Sequence, residues 1–207
     1  EIYGSFNDSE KVADSQNALA MCYLREGAVL EAEAILEQTA ADFLDDHLHL
    51  IYLQNRGDLL IAKLRQEKYE EAVEIIEEII VPMEFCKDKK ACFVFHEKAG
   101  IIFTRIKQFS RAVSHFQNTI RYAEELNNLP FLTSSKNNLA NLYRRIGRFD
   151  LAHQNEDEAI QIAQENNQIG WLPHYLDTKA LIYFDEGNFQ MALETIDHAI
   201  STLNNGE

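Results

Sequence analysis

Small, aromatic and apolar side chains recur along this chain in one repeated arrangement, with polar residues between them. Five stretches carry it: Tyr23 to Ala32 with Gly27 and Val29, Lys63 to Ala72 with Tyr69, Phe103 to Ala112 with Phe109, Tyr143 to Ala152 with Gly147 and Phe149, and Tyr183 to Ala192 with Gly187 and Phe189. The closing alanines, Ala32, Ala72, Ala112, Ala152 and Ala192, stand 40 residues apart every time. A fixed interval of this size marks a repeat array. Each stretch predicts the end of a first helix, a short turn where glycine accepts positive φ, and a second helix opened by an aromatic residue or Val. The alanine then sits where two antiparallel helices cross closely. Ala20, Leu60, Gly100, Ala140 and Ala180 hold the matching place on the first helix. The paired helices are predicted over residues 9–26 and 29–43, 48–66 and 69–81, 89–107 and 109–127, 131–146 and 149–166, and 170–186 and 189–204. Pro82, Pro130 and Pro173 are expected between helices or at their starts, where a missing N–H costs least. Residues 81–90 are expected as the longest irregular stretch. No Ser/Gly/Pro-rich linker interrupts the series, which predicts one domain over residues 1–207 with each hairpin packed on its neighbours.

These residues resemble the tetratricopeptide repeat (TPR) family, which combines a small residue, an aromatic three further on, Gly-x-aromatic at the turn, and then alanine. The resemblance covers nearly the whole chain. It implies an all-α fold, a right-handed α-solenoid of five TPR-type helix-turn-helix hairpins at about 9–43, 48–81, 89–127, 131–166 and 170–204. The family's usual period is about 34 residues. The longer period here resembles the variant found in kinesin-light-chain-like, LGN-like and bacterial regulator arrays. Lys63 stands in the aromatic place and Leu60 in the small one, so the second hairpin is expected to be splayed or locally irregular. Glu156 stands where Leu36, Ile76, Phe116 and Ile196 lie in the other repeats. It is expected to be half-exposed rather than a catalytic acid.

Charge narrows the partners. The chain has 34 acidic against 19 basic residues, a net charge of −15, which repels phosphate backbones and anionic headgroups. No direct nucleic-acid ligand is expected. The acidity reads as solubility or as attraction for a basic partner. Apolar runs such as Leu59-Leu60-Ile61-Ala62 are too short to cross a bilayer, so no membrane span is expected. Cys22, Cys86 and Cys92 form no disulfide framework and suit a reducing compartment, so the cytoplasm is expected. The opening Glu1-Ile2-Tyr3-Gly4 has neither a methionine nor a signal-peptide pattern, and the chain reads as a piece of a longer protein.

Chemistry is sparse. The glycines never cluster into a phosphate loop. His47-x-His49 has the wrong spacing for a helix-borne metal pair. No catalytic residue, metal or cofactor is expected. The resemblance implies instead that the first helices line an inner groove for a protein or peptide. The candidates there are Asn17, Gln54, Lys98, Arg105, Asn137, Asn138, Asn141, Arg144 and Arg145, with Asp14, Ala18, Met21, Asp58 and Val94 among their neighbours. Asn137, Asn141 and Arg145 are spaced four apart as a ladder. The Asn amides offer a donor and an acceptor to an extended backbone, and Arg144 or Arg145 a cation for an acidic group. Chaperone-binding members of the family carry a two-carboxylate clamp. Asn17, Met21, Asp58, Val94 and Lys98 hold those places here, and four of the five do not match. Asp14 and Asp58 would repel such an acidic tail.

The expected function is a protein- or peptide-binding interaction module, the scaffold or sensor region of a larger cytoplasmic regulator, with the ligand held in the concave groove of repeats three to five. The alternative is the peptide-pheromone-sensing region of a bacterial transcription or signalling regulator, and a remote one is a helical-repeat enzyme. On the last helix, Ile196, Ala199, Ile200 and Leu203 call for cover by a following helix or by a second subunit, the latter as a homodimer through that helix. Trp171, the only tryptophan, is placed to report on contacts near that end.

Overall fold

The computed structural model describes residues 2–41 and 50–204, which form α-helices and one short 3-10 turn and contain no strand. His47 and His49 lie outside the described residues. The helices are α1 (Ile2–Glu26), α2 (Val29–Ala41), α3 (Leu50–Arg65), α4 (Tyr69–Phe85), α5 (Lys89–Arg105), α6 (Phe109–Glu125), α7 (Leu129–Arg145), α8 (Phe149–Glu165), α9 (Leu172–Glu186) and α10 (Phe189–Asn204). The chain forms two compact units, Glu1–Ile106 and Lys107–Glu207. In the first, α1 packs on α2, α3 on α4, and the first helices α1, α3 and α5 stand side by side. In the second, α7 packs on α8, α9 on α10, and α7 lies beside α9.

The predicted crossing points are buried. Ala20, Ala32, Leu60, Ala72, Ala112, Ala140 and Ala152 have no exposed surface. Ala140 and Ala152 meet Ile182, with Tyr143 and Phe149 packed against them. Turns follow from hydrogen bonding. After α1 the Ala28 N–H donates to the Tyr23 carbonyl at 2.9 Å and the Gly27 N–H to that of Leu24 at 3.3 Å, the paired bonds of a Schellman closure. Its left-handed residue is Gly27 at φ 85°, and Gly147 and Gly187 repeat it at 74° and 89°. Glu67 and Lys107 hold the same place at 57° and 62°. Asn127 and Asn167 close the turns between hairpins at 49° and 57°.

Three expectations about elements change. α1 begins at Ile2 rather than at residue 9. α4 continues through Pro82 to Phe85, so Pro82 lies inside a helix and the irregular stretch shrinks to residues 86–88. Ile79 and Met83 are buried on the same helix face, and their burial at about 2 kcal/mol each outweighs the roughly 3 kcal/mol cost of an interior proline. The second hairpin also keeps two regular helices despite Lys63. The Lys63 ammonium is buried and pairs with Glu33, with Glu71 at 2.6 Å and with Glu37 at 3.4 Å. Burial works against that charge, and the hydrogen bonds to Glu33 and Glu71 more than reverse it, holding Lys63 above the usual lysine range.

Candidate functional site

Within the first unit, the side-by-side first helices form an open cavity of about 320 Å³ lined by Asp14, Asn17, Ala18 and Met21 of α1, Gln54 and Asp58 of α3, and Asp88, Lys90, Ala91 and Val94 at the start of α5. Helical spacing puts them there: Asp14, Asn17, Ala18 and Met21 fall at steps of three and four and share one face of α1, as Gln54 and Asp58 do on α3.

Two sequence candidates, Asn17 and Gln54, line this cavity. Asn17 is nine-tenths buried, and its Oδ1 accepts from the Asn55 Nδ2 at 2.9 Å. Asn55 is wholly buried. Gln54 Nε2 reaches Asp88 Oδ2 at 3.4 Å. Asp58 is half-buried, and burial pushes its carboxyl up to about 6 against the opposing charge of Lys98. Lys98 is half-buried and pairs with Glu97 at 2.7 Å. Arg105 is exposed at the end of α5.

Sequence reading missed Asp88 and Lys90, which fell in the expected irregular stretch, and Ala91, which fell in the helix expected after it. Asp88 is the N-cap of α5, its Oδ1 accepting from the Lys90 and Ala91 backbone N–H groups at 2.9 and 3.1 Å. An aspartate directly before a helical run was the available signal. Asn55 was also missed. It lies one residue after Gln54, on the packed side of α3, where sequence alone sees only one more polar residue.

In the second unit the asparagine ladder divides. Asn137 is buried, and its Nδ2 donates to both Glu156 carboxyl oxygens at 3.1 Å and to Thr178 Oγ1 at 2.8 Å. It therefore does not share an exposed face with Asn141 and Arg145. Asn138 is half-buried, and Asn141 and Arg145 are exposed. Arg144 donates to Asn141 Oδ1 through Nε at 3.2 Å and Nη2 at 2.9 Å, and pairs with Asp185 of α9.

Glu156 is not half-exposed; it has no exposed surface. Its carboxyl packs between α7 and α9, and burial raises it to about 8, against the Asn137 hydrogen bond and the Lys179 charge and with the Asp157 charge. Lys179 itself pairs with Asp157 at 2.7 Å. The carboxyl is thus closed off from solvent and held by the Asn137 amide. Among the described residues no group of His, Cys, Asp and Glu is placed to hold a metal ion, and no helix is long and apolar enough to cross a membrane.

Residues 132–167 match the family model described as tetratricopeptide repeat. No curated protein sequence matches the chain. Among solved structures, the chain is similar to the nearly identical TPR-like repeats of a kinesin light chain from Podosopora anserina, at 20% identity over 94% of this chain and 96% of that one, with a TM-score of 0.80. It is similar to BtubC (BKLC) from P. vanneervenii, at 18% identity over 98% and 84% with a TM-score of 0.83. The apo form of RapI is similar at 12% identity over 94% and 71%, with a TM-score of 0.77. The architecture is an all-α repeat solenoid of the tetratricopeptide type.

Proposed function

We propose that this tetratricopeptide-repeat array is an interaction module that holds an extended protein segment along its first helices, with the α1–α3–α5 cavity as the principal contact. The observation that carries this reading is that cavity, whose walls come from three successive first helices and whose lining includes amides and carboxylates beside apolar surface. A segment crossing it would meet Asn17 and Gln54, side chains suited to backbone N–H and C=O groups. On the second unit, Asn141 and Arg145 are the exposed candidates for further contacts, while Asn137 serves the interior. The amides and carboxylates of this lining suit contacts to the backbone and side chains of a bound segment.

The test is capture of partners by the wild-type chain beside an Ala18→Trp variant, whose indole would fill the cavity from an exposed position on α1. A partner retained by the wild type, lost by the variant, and reproduced by a synthetic segment of that partner supports the reading. Equal capture by both proteins refutes it.

A further inference from the structure

The cavity of the first unit is polarised in a way that specifies its occupant. Three carboxylates, Asp14, Asp58 and Asp88, face it against one ammonium, Lys90. Asp88 is already committed to capping α5 and to Gln54. Asp58 is different: half-buried, it makes no hydrogen bond or ion pair of its own with any described residue, and Lys98, whose charge acts on it, is engaged by Glu97. A carboxylate partly removed from water without a partner is costly, and a cation brought to it forms a charge-assisted hydrogen bond.

Asn17 supplies an independent pointer to a ligand. Nine-tenths buried, it is one of the residues lining the cavity, it is held through Oδ1 by Asn55, and its Nδ2 donates to no described residue. That donor matches a backbone carbonyl. Met21 and Val94 complete the lining with apolar surface, which suits the alkyl stem of a long cationic side chain. A space of about 320 Å³ admits such a side chain together with its backbone.

Resting on the segment-binding reading above, we infer that the cavity recognises a lysine or arginine of the partner segment, with its stem against Met21 and Val94, its cationic head between Asp14 and Asp58, and its backbone carbonyl on Asn17 Nδ2. Acidic segments are rejected by the same carboxylates.

A random dodecapeptide library displayed on phage, panned at near-physiological salt, tests this. The baits are the wild type, Asp58→Asn, the cavity-filling Ala18→Trp, and a Glu70→Gln/Glu74→Gln control that changes exposed charge on α4, away from the cavity. Folding of each is checked by circular dichroism. The expected result is a consensus with a fixed Lys or Arg on the wild type and the control, absent from Ala18→Trp. The synthetic consensus peptide should bind Asp58→Asn roughly tenfold more weakly, and norleucine in place of its lysine should cost the wild type a similar factor. A neutral or acidic consensus that Ala18→Trp abolishes overturns the cation inference and leaves segment binding standing. A basic consensus weakened equally by the α4 control reduces it to general attraction and overturns the site. No enrichment, or enrichment indifferent to Ala18→Trp, overturns both.

Discussion

Replacing Glu156 with glutamine should remove most of a pH dependence that the wild type carries in its second unit. The carboxyl is fully buried and holds its proton up to about pH 8 in the native state, against an ordinary value of 4.5. Between those values the folded protein binds more protons than the unfolded chain, so stability falls as pH rises. The stabilising contribution of the neutral carboxyl is whole below pH 4.5 and is lost by the time pH passes about 8. Linkage puts the loss at roughly 3 kcal/mol between about pH 5 and pH 8. For a chain of this size that is a fall in Tm of about 6–12 °C. Glutamine is neutral throughout and still offers a carbonyl to Asn137 Nδ2, so the Glu156→Gln variant should lack this slope. The assay is thermal unfolding at several pH values, followed by helical circular dichroism and by Trp171 fluorescence, which reports on the unit containing Glu156. Other titrating groups cancel in the difference between the two proteins. Parallel stability curves from pH 5 to pH 8 would refute the assignment of a buried, protonated Glu156.

Other consequences can be measured on the same protein. Lys63→Ala leaves the buried Glu33 carboxylate without its main partner and should cost about 3–5 kcal/mol in urea unfolding, whereas Lys63→Met/Glu33→Leu should be close to neutral. Gly147→Ala, at a φ of 74°, should destabilise by about 1 kcal/mol, since the left-handed penalty exceeds the entropy that alanine saves. Glu67→Gly, at 57°, should be neutral or stabilising by up to about 1 kcal/mol, and a loss on that substitution would contradict the turn geometry. Phe189, Leu193, Ile200 and Leu203 of α10 are exposed, and self-association through this helix is expected as a mass that rises with concentration in light scattering. A monomer throughout the range would count against it.

The array was legible because its punctuation is local. A glycine or a tolerant substitute at the left-handed position, an aromatic or Val two residues on, and an alanine at the crossing each leave a mark that survives without neighbours. Those marks, with the groove positions that the family resemblance implies, brought Asp14, Asn17, Gln54 and Asp58 together on the inner side of α1 and α3. What failed to show was long-range pairing. Asn137 and Asn141 look alike in sequence, and only the carboxyl of Glu156, arriving from α8, separates a buried amide from an exposed one. Ala199 was grouped with Ile200 and Leu203 as an uncovered surface, yet it is buried with Leu172 and Leu176. Pro82 misled because a proline's local cost is visible, while the burial of Ile79 and Met83 that offsets it is not.

The left-handed turn residues at 107, 127, 147, 167 and 187 follow one another every 20 residues, and α4 to α8 are each 17 residues long. Turns inside a hairpin and turns between hairpins thus share one closing geometry. A gene recombining with itself between any codon and the one a full repeat away would keep every cap, turn and crossing alanine in phase. A single residue inserted within a helix would instead rotate the rest of that helix by about 100° and carry its apolar face away from its neighbours. The whole hairpin is thus the unit by which the length of such an array can change without disturbing its packing.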